Sequence, residues 1–202
     1  MNEKDYDVLL GVKTEGNQAG FGRFLHYHRY EPTPYSDLAV LFNDYSLKST
    51  DRVVDFGCGK GRLNFYVHYL FNVSVVGIEM NEGFYTDAVE NRKNYIKKHP
   101  SSKDKIHFHC CLAEEYVIDK LDNRFYFFNP FTIQIFMKVI NNILFSVEQY
   151  EREVELILYY SSDEYIYFLE NQTSFELKEE IILHGKYEYN PNERFLVYRL
   201  RY

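Results

Sequence analysis

Asp51-Arg52-Val53-Val54-Asp55-Phe56-Gly57-Cys58-Gly59-Lys60-Gly61 is a short apolar run that ends in an acid and three alternate glycines. Val53 to Phe56 reads as a buried strand, because β-branched and aromatic residues suit a pleat packed on both faces. Gly57, Gly59 and Gly61 let the chain turn tightly and let a ligand approach the backbone with no Cβ in the way. Beyond them Leu63, Phe65, Tyr66, Val67, Tyr69, Leu70 and Phe71 suit a buried helix. The first N–H groups of that helix can receive a carboxylate or a phosphate.

The alternation continues outward on the C-terminal side. Val73 to Ile78 is a second β-rich run ending at Glu79, and Asn81 to Lys98 is an amphipathic helix closed by Pro100. Ile106 to Cys111 is a third strand, and Arg124 to Phe128 a fourth that runs into Asn129-Pro130-Phe131. Ile133 to Val147 is apolar at helical spacing, Glu153 to Tyr160 is a fifth strand, and Glu164 to Asn171 is a short helix. Phe175 to Leu183 and Phe195 to Arg201 follow as two strands, with the turn-rich Tyr189-Asn190-Pro191-Asn192-Glu193 between them. The expected fold is α/β: a Rossmann-like, doubly wound, mostly parallel seven-stranded sheet with a C-terminal antiparallel hairpin at or near an edge. Ligands in such sheets sit beyond the carboxyl ends of the strands, at the topological switch point. Three strand ends are thereby singled out: Asp55 to Gly61, Glu79-Met80, and Asn129 to Phe131.

Residues 1 to 50 stand outside this alternation. They are expected to form an N-terminal arm and helix covering the mouth of the site, with 51 to 202 as the core. Gly16-Asn17-Gln18 and Gly20-Phe21-Gly22 read as flexible, and Arg23, His26, His28 and Arg29 as locally basic. Pro32-Thr33-Pro34 forces an extended or turned backbone, and Ser36 is expected to cap a helix reaching Phe42. The 202 residues carry a net charge of -7, which works against binding to nucleic acid and to anionic membrane. No stretch approaches the about 20 apolar residues of a membrane span, and the acidic start is unlike a signal peptide. Three Cys give neither a disulfide framework nor a zinc spacing, so a cytoplasmic, reduced setting without a metal site is expected. The 20 Tyr and 17 Phe, with no Trp, are mostly core and rim, and a few suit a pocket that attracts a cation.

Glu79 falls 18 residues after Gly61, at a strand end where an acid accepts hydrogen bonds from ribose hydroxyls. A nicotinamide or flavin dinucleotide loop would read Gly-x-Gly-x-x-Gly, but Arg62 holds the last place and Gly61 comes one place early. In the joint pattern of strand, Asp-x-Gly-x-Gly-x-Gly, helix, strand and Glu, the sequence resembles the class I S-adenosylmethionine-dependent methyltransferases over roughly residues 51 to 200. The resemblance implies S-adenosylmethionine as cofactor. It implies that Asp55 and the loop backbone at Gly57 and Gly59 hold the methionine end, that Cys58 and Gly61 of the same loop also bind cofactor, that Glu79 binds the ribose and that Met80 packs on the adenine. Asp-Phe-Gly-Cys-Gly-Lys-Gly-Arg with a later Phe-Phe-Asn-Pro-Phe is similar to a group of small bacterial members of unassigned substrate. Many relatives carry an acid just after strand three for the adenine amino group. Leu112 stands there instead, which leaves the Ala113 N–H and the Glu114 side chain to serve. By the same resemblance, Tyr30-Glu31-Pro32-Thr33-Pro34-Tyr35 lies near the cofactor, with Tyr35 its expected contact and a rigid packing turn as the other reading.

Asn129-Pro130-Phe131 resembles the Asn-Pro-Pro-Phe or Tyr motif of methyltransferases acting on amino groups of adenine or glutamine. There an Asn oxygen and a Pro carbonyl accept hydrogen bonds from a planar NH2, and an aromatic ring stacks on the acceptor. Here the second Pro is missing. The segment either holds an amino acceptor in that way, with Asn129, Pro130 and Phe131 catalytic, or ends the strand and touches the cofactor. Methyl transfer to a nitrogen or oxygen of an unknown acceptor is the expected activity. A non-catalytic S-adenosylmethionine-binding sensor or partner subunit is the alternative. The acidic charge favours a small molecule or a protein over nucleic acid as acceptor, and no oligomeric state follows. His107 and His109 share a strand face, Cys110 and Cys111 oppose one another, and His26 and His28 lack a third ligand, so all are read as packing or surface residues. Arg92, Lys93, Lys97, Lys98, Lys103 and Lys105 read as a solvated helix end favoured by the helix dipole.

Overall fold

The computed structural model describes residues 2–16 and 31–201. Gly20-Phe21-Gly22 and the basic stretch with Arg23, His26, His28 and Arg29 lie outside the described residues. Strands β1 (Arg52–Phe56), β2 (Ser74–Glu79), β3 (Ile106–Cys110), β4 (Arg124–Phe128), β5 (Glu155–Tyr159), β6 (Phe175–Ile182) and β7 (Arg194–Leu200) form one sheet in the order β3-β2-β1-β4-β5-β7-β6. The first five strands pair in parallel. β7 is antiparallel to both β5 and β6, so it is wedged between them and β6 occupies the edge. The chain leaves β5 through a crossover helix, lands one strand-width too far out, and turns back to fill the gap. The switch point falls between β1 and β4, where the strand order reverses.

Alternation along each strand sends side chains to two separate cores. Val54, Phe56, Phe125 and Phe127 face α5 (Ile133–Gln149) and α6 (Asp163–Gln172). Val53, Tyr126 and Ile157 face the side covered by α3 (Arg62–Phe71), α4 (Glu82–Lys98) and the N-terminal helices. Local signals fix the helix ends. Asn81 accepts from the Phe84 N–H to start α4, and Ser162 accepts from the Tyr165 N–H to start α6. Lys98 and Lys105 of the basic run donate to the Val8 and Asn72 carbonyls, satisfying acceptors at the ends of two helices.

Two helices precede the sheet. α1 (Glu3–Leu10) opens with a capping box between Asn2 and Asp5 and closes on the left-handed Gly11. α2 runs Tyr35–Asp44, starting directly after Pro34. Ser36 therefore lies inside α2 and bonds the Asp37 carboxylate, a correction to its expected place as the cap. Leu10, Val12, Leu38, Leu41, Tyr45 and Leu47 are buried within the same core as Val53 and Ile157, so these helices share the sheet's core. Among the described residues no helix is long and apolar enough to cross a membrane.

Candidate functional site

Gly57, Gly59 and Gly61 all adopt positive φ, at 81°, 54° and 85°. Gly57 and Cys58 both donate their N–H to the Ile78 carbonyl, at 2.9 and 3.0 Å, which ties the loop to the end of β2. The Gly59 N–H donates to Glu79 Oε2 at 2.9 Å, and the Asn81 N–H to Glu79 Oε1 at 2.8 Å. Glu79 is thus oriented by two backbone donors while lone pairs remain on both oxygens. Burial raises its pKa, and the backbone N–H groups of Asn81, Gly59 and Met80 oppose that rise.

Asp55 lies beside it. It is the penultimate residue of β1, 4% exposed, and no hydrogen bond or ion pair reaches its carboxylate among the described residues. Burial, and then the charge of Glu79, push its pKa well above the usual carboxylate range. Two neighbouring buried acids with no cation paired to either among the described residues fit a ligand that carries positive charge. S-adenosylmethionine meets that demand with an ammonium and a sulfonium, and its ribose diol suits the spare lone pairs of Glu79.

The second motif reaches the first in space. A Cβ on Gly57 would stand 2.9 Å from the Pro130 Cβ, so glycine is required there by the approach of Pro130 as well as by φ. Asn129, immediately before it, is left-handed at φ 38°. Asp55, Gly57, Cys58, Arg62, Leu63, Tyr126 and Phe128 line a cleft of about 30 Å³ whose other wall is Glu31, Pro32 and Thr33. That wall is fastened down: the Thr33 and Tyr126 hydroxyls are hydrogen-bonded at 2.7 Å, and Arg62 Nη1 donates to the Thr33 carbonyl at 3.3 Å. Arg62 is 5% exposed, also reaches Thr14 Oγ1 and the Glu3 carboxylate, and lies over the Tyr35 ring.

Several expected site residues go elsewhere. Tyr35 is fully buried, donates its hydroxyl to Asp7 Oδ1 at 2.8 Å and stacks on Tyr6, so its ring holds α1 to α2 and does not line the cleft. Phe131 is 1% exposed, with its ring against Phe127 and its carbonyl accepting from the Tyr165 hydroxyl; it packs core and is not free to stack on an acceptor. The Cys58 side chain turns back toward β2, where a Cβ on Gly77 would stand 2.6 Å from Sγ, so only its backbone faces the loop. Burial pushes that thiol's pKa well up. Met80 is half-buried next to Glu79, and Ala113 is buried at the start of a short 3-10 turn, Ala113–Glu115. The Glu114 carboxylate lies 3.8 Å from Lys138 and its carbonyl accepts from Asn142. Neither Ala113 nor Glu114 lines the cleft at Asp55. His107, His109 and Cys110 are exposed on the edge strand, and the described residues contain no group of three metal ligands.

Sequence reasoning missed Arg62, Tyr126 and Phe128, and within the segment expected near the cofactor it singled out Tyr35 where Thr33 lines the cleft. Tyr126 and Phe128 alternate with the core residues Phe125 and Phe127, so an i, i+2 reading of β4 separates them once the direction of its two faces is known.

Residues 37–121 match the family model described as a methyltransferase domain. The match takes in Asp55, the glycine loop, Glu79 and Glu114 and stops short of Asn129. No curated protein matches the chain. Among solved structures, the chain is similar to an RNA methyltransferase from Salinibacter ruber in complex with S-adenosyl-L-homocysteine, at 20% identity and a TM-score of 0.58, covering 84% of this chain and 92% of that one. It is similar to a structural-genomics target from E. coli at 12% identity and a TM-score of 0.59, over 84% and 93% of the two chains. A protein of the NADB-Rossmann superfamily from Streptococcus agalactiae gives 17% identity and a TM-score of 0.54, over 81% and 67%. The chain shares the Rossmann-like fold of these structures, with its seven-stranded mixed sheet.

Proposed function

We propose that this protein transfers a methyl group from S-adenosylmethionine to an amino nitrogen presented beside Asn129 and Pro130. The observation that carries this reading is Asp55, a buried carboxylate without a partner among the described residues, in the cleft where Pro130 meets the glycine loop. S-adenosylmethionine supplies a methyl group already activated by a positive sulfur, so the chain has only to bind and orient. Asp55 receives the ammonium of the methionine end, and Glu79 accepts from the ribose hydroxyls while Gly59 and Asn81 hold it in place. The Asn129 side-chain oxygen and the Pro130 carbonyl accept from the amino group and aim its lone pair. The remaining contacts of Gly61, Met80, Ala113 and Glu114 with cofactor belong to the same proposal.

The cleft of about 30 Å³ has room for little more than a water, so Glu31 to Thr33 must lift for the cofactor to enter. This supports the division in which residues 1–50 supply the cover and 51–202 the core. The net charge of -7 supports a small amine or a protein as acceptor over nucleic acid, in contrast to the RNA named for the Salinibacter relative. Titration calorimetry with S-adenosylmethionine and S-adenosylhomocysteine tests the donor side, with one bound equivalent of each expected. Absence of both heat and thermal stabilisation with either compound overturns the proposal.

A further inference from the structure

Asn91 sits in the middle of α4, 4% exposed, and its amide is turned wholly toward backbone. Its Oδ1 accepts the Lys13 N–H at 2.8 Å, and its Nδ2 donates to the Lys13 carbonyl and to the Lys60 carbonyl, each at 3.1 Å. One side chain thereby pairs with both groups of Lys13, as a neighbouring strand would, and gives its other hydrogen to the glycine loop. The next two residues of the N-terminal stretch are held from the same side. Thr14 is fully buried, and its Oγ1 accepts from Arg62 Nε at 2.8 Å. The Lys60 ammonium stands 3.5 Å from the Glu15 carbonyl and 3.2 Å from the Asp87 carboxylate on α4. Lys60 and Arg62 flank Gly61, so both neighbours of the last loop glycine reach residues 13–15.

Glycine lets the loop turn but does not stiffen it, since Gly loses more conformational freedom on ordering than any other residue. Other groups must hold the three positive-φ positions. The first half of the loop is tied to β2 through the Ile78 carbonyl. In the second half the Gly61 N–H donates to the Cys58 carbonyl at 2.9 Å, and the Lys60 carbonyl accepts from Asn91. The Lys60–Gly61 peptide is thus fixed at both its polar groups, next to the Gly59 N–H that orients Glu79. The N-terminal helix has no need of these contacts for itself: α1 closes on Gly11, and its own Asp7 holds the Thr14 N–H and hydroxyl.

Resting on the methyl-donor reading, we infer that Asn91 is a positioning residue for the donor site, joining residues 13–15 to the glycine loop so that the two order and open together. Asn91 does not line the cleft and acts through the Lys60–Gly61 peptide. Linkage makes the effect reciprocal: a donor that needs the ordered loop also holds residues 13–15 closed. An N-terminal stretch outside the matched residues 37–121 thereby becomes part of what sets donor affinity.

Amide hydrogen exchange on the full chain, followed by NMR with and without S-adenosylhomocysteine, reads the coupling with no substitution. A bound ligand slows an amide by the binding factor only where the opening that exposes the amide also destroys the site. The Lys13 N–H is therefore expected to slow about 100-fold with S-adenosylhomocysteine at about 100 times its Kd. The Gly185 N–H, bonded to Glu188 in the exposed β6–β7 hairpin, opens locally and is expected to be unchanged. Asn91→Asp keeps the shape and the acceptor for the Lys13 N–H but faces two carbonyls without a hydrogen to give. At a temperature where it is fully folded, it is expected to bind S-adenosylhomocysteine about tenfold more weakly in calorimetry. It is also expected to lose most of the slowing at Lys13 at the same multiple of its own Kd. If that variant does not fold, the wild-type exchange still decides the coupling. The inference is overturned if Lys13 exchanges equally fast with and without ligand, or if Asn91→Asp melts lower yet binds as tightly as wild type, the mark of a packing role alone. Failure of wild type to bind S-adenosylhomocysteine at all would instead sink the methyl-donor reading beneath it.

Discussion

Replacing Asp55 by Asn is expected to make the empty protein more stable and a worse binder. In the folded chain the Asp55 carboxylate is 4% exposed, faces Glu79 and has no compensating donor among the described residues, so its pKa is raised. A raised carboxylate means that the folded state holds a proton the unfolded chain has already released. The contribution to stability therefore falls as pH rises from the ordinary carboxylate range through the folded-state value, and above that value the ionised group is a liability. Leaving a buried polar group unsatisfied costs about 1–3 kcal/mol, and the Asn amide also needs partners, so a gain near the low end, about 1 kcal/mol, is expected at pH 8. For a chain of this size that is a rise of about 2–4 °C in Tm. The gain shrinks as pH falls and wild type takes up its proton. Binding moves the other way: a charge-assisted contact to an ammonium is worth about 1.5–3 kcal/mol, a loss of about 10- to 150-fold in affinity for S-adenosylmethionine. Scanning fluorimetry from pH 5 to 8, with titration calorimetry at pH 8, reads both. A variant that melts lower than wild type at pH 8 and binds equally well would refute the reasoning, because Asp55 would then be a paired structural acid.

Three further outcomes follow from the packing. Arg62→Ala breaks a buried junction joining Glu3, Thr14 and the Thr33 carbonyl; because Glu3 is 35% exposed on its side of the pair, about 2 kcal/mol is expected, lowering Tm by about 4–8 °C and speeding proteolysis within the N-terminal 50 residues. Unchanged melting and proteolysis would mean that the cover is held by other contacts. Gly77→Ala places a Cβ 2.5 Å from Phe108 and 2.6 Å from Cys58 Sγ, an overpacking expected to cost about 1–3 kcal/mol in urea denaturation; a neutral result would show that both neighbours yield freely. Phe131→Ala empties a core position at 1% exposure and is expected to cost about 3–5 kcal/mol, a fold defect visible in denaturation without any ligand. A stable Phe131→Ala protein would return that ring to the acceptor side.

The strands were legible because each is a short β-branched or aromatic run closed by a turn residue, and parallel pairing buries both faces. Arg124–Phe128 fell on its expected bounds, and most of the other strands were displaced by a residue or two. The place of β7 between β5 and β6 was less legible, since a hairpin's signal lies in its turn while its position depends on where the preceding crossover lands. α1 was missed because Glu3–Leu10 carries charge at four of its first five positions; its real signals were the Asn2 and Asp5 capping box and Gly11. At the site, Asp55, Gly57, Glu79 and Pro130 were readable because chemistry and spacing coincide at strand ends. Aromatic residues were not. A Tyr or Phe offers the same apolar body to a core as to a pocket, so Tyr35 and Phe131 were assigned to the ligand while Tyr126 and Phe128 were passed over.

A crystal structure with S-adenosylhomocysteine bound tests the central claim most directly. The sulfur is expected between Asp55 and Pro130, the amino group on the Asp55 carboxylate, the ribose on Glu79, and Glu31 to Thr33 displaced from their present contacts with Tyr126 and Arg62. A ligand seated away from Asp55, or a cleft that stays closed and empty at saturating ligand, would contradict it.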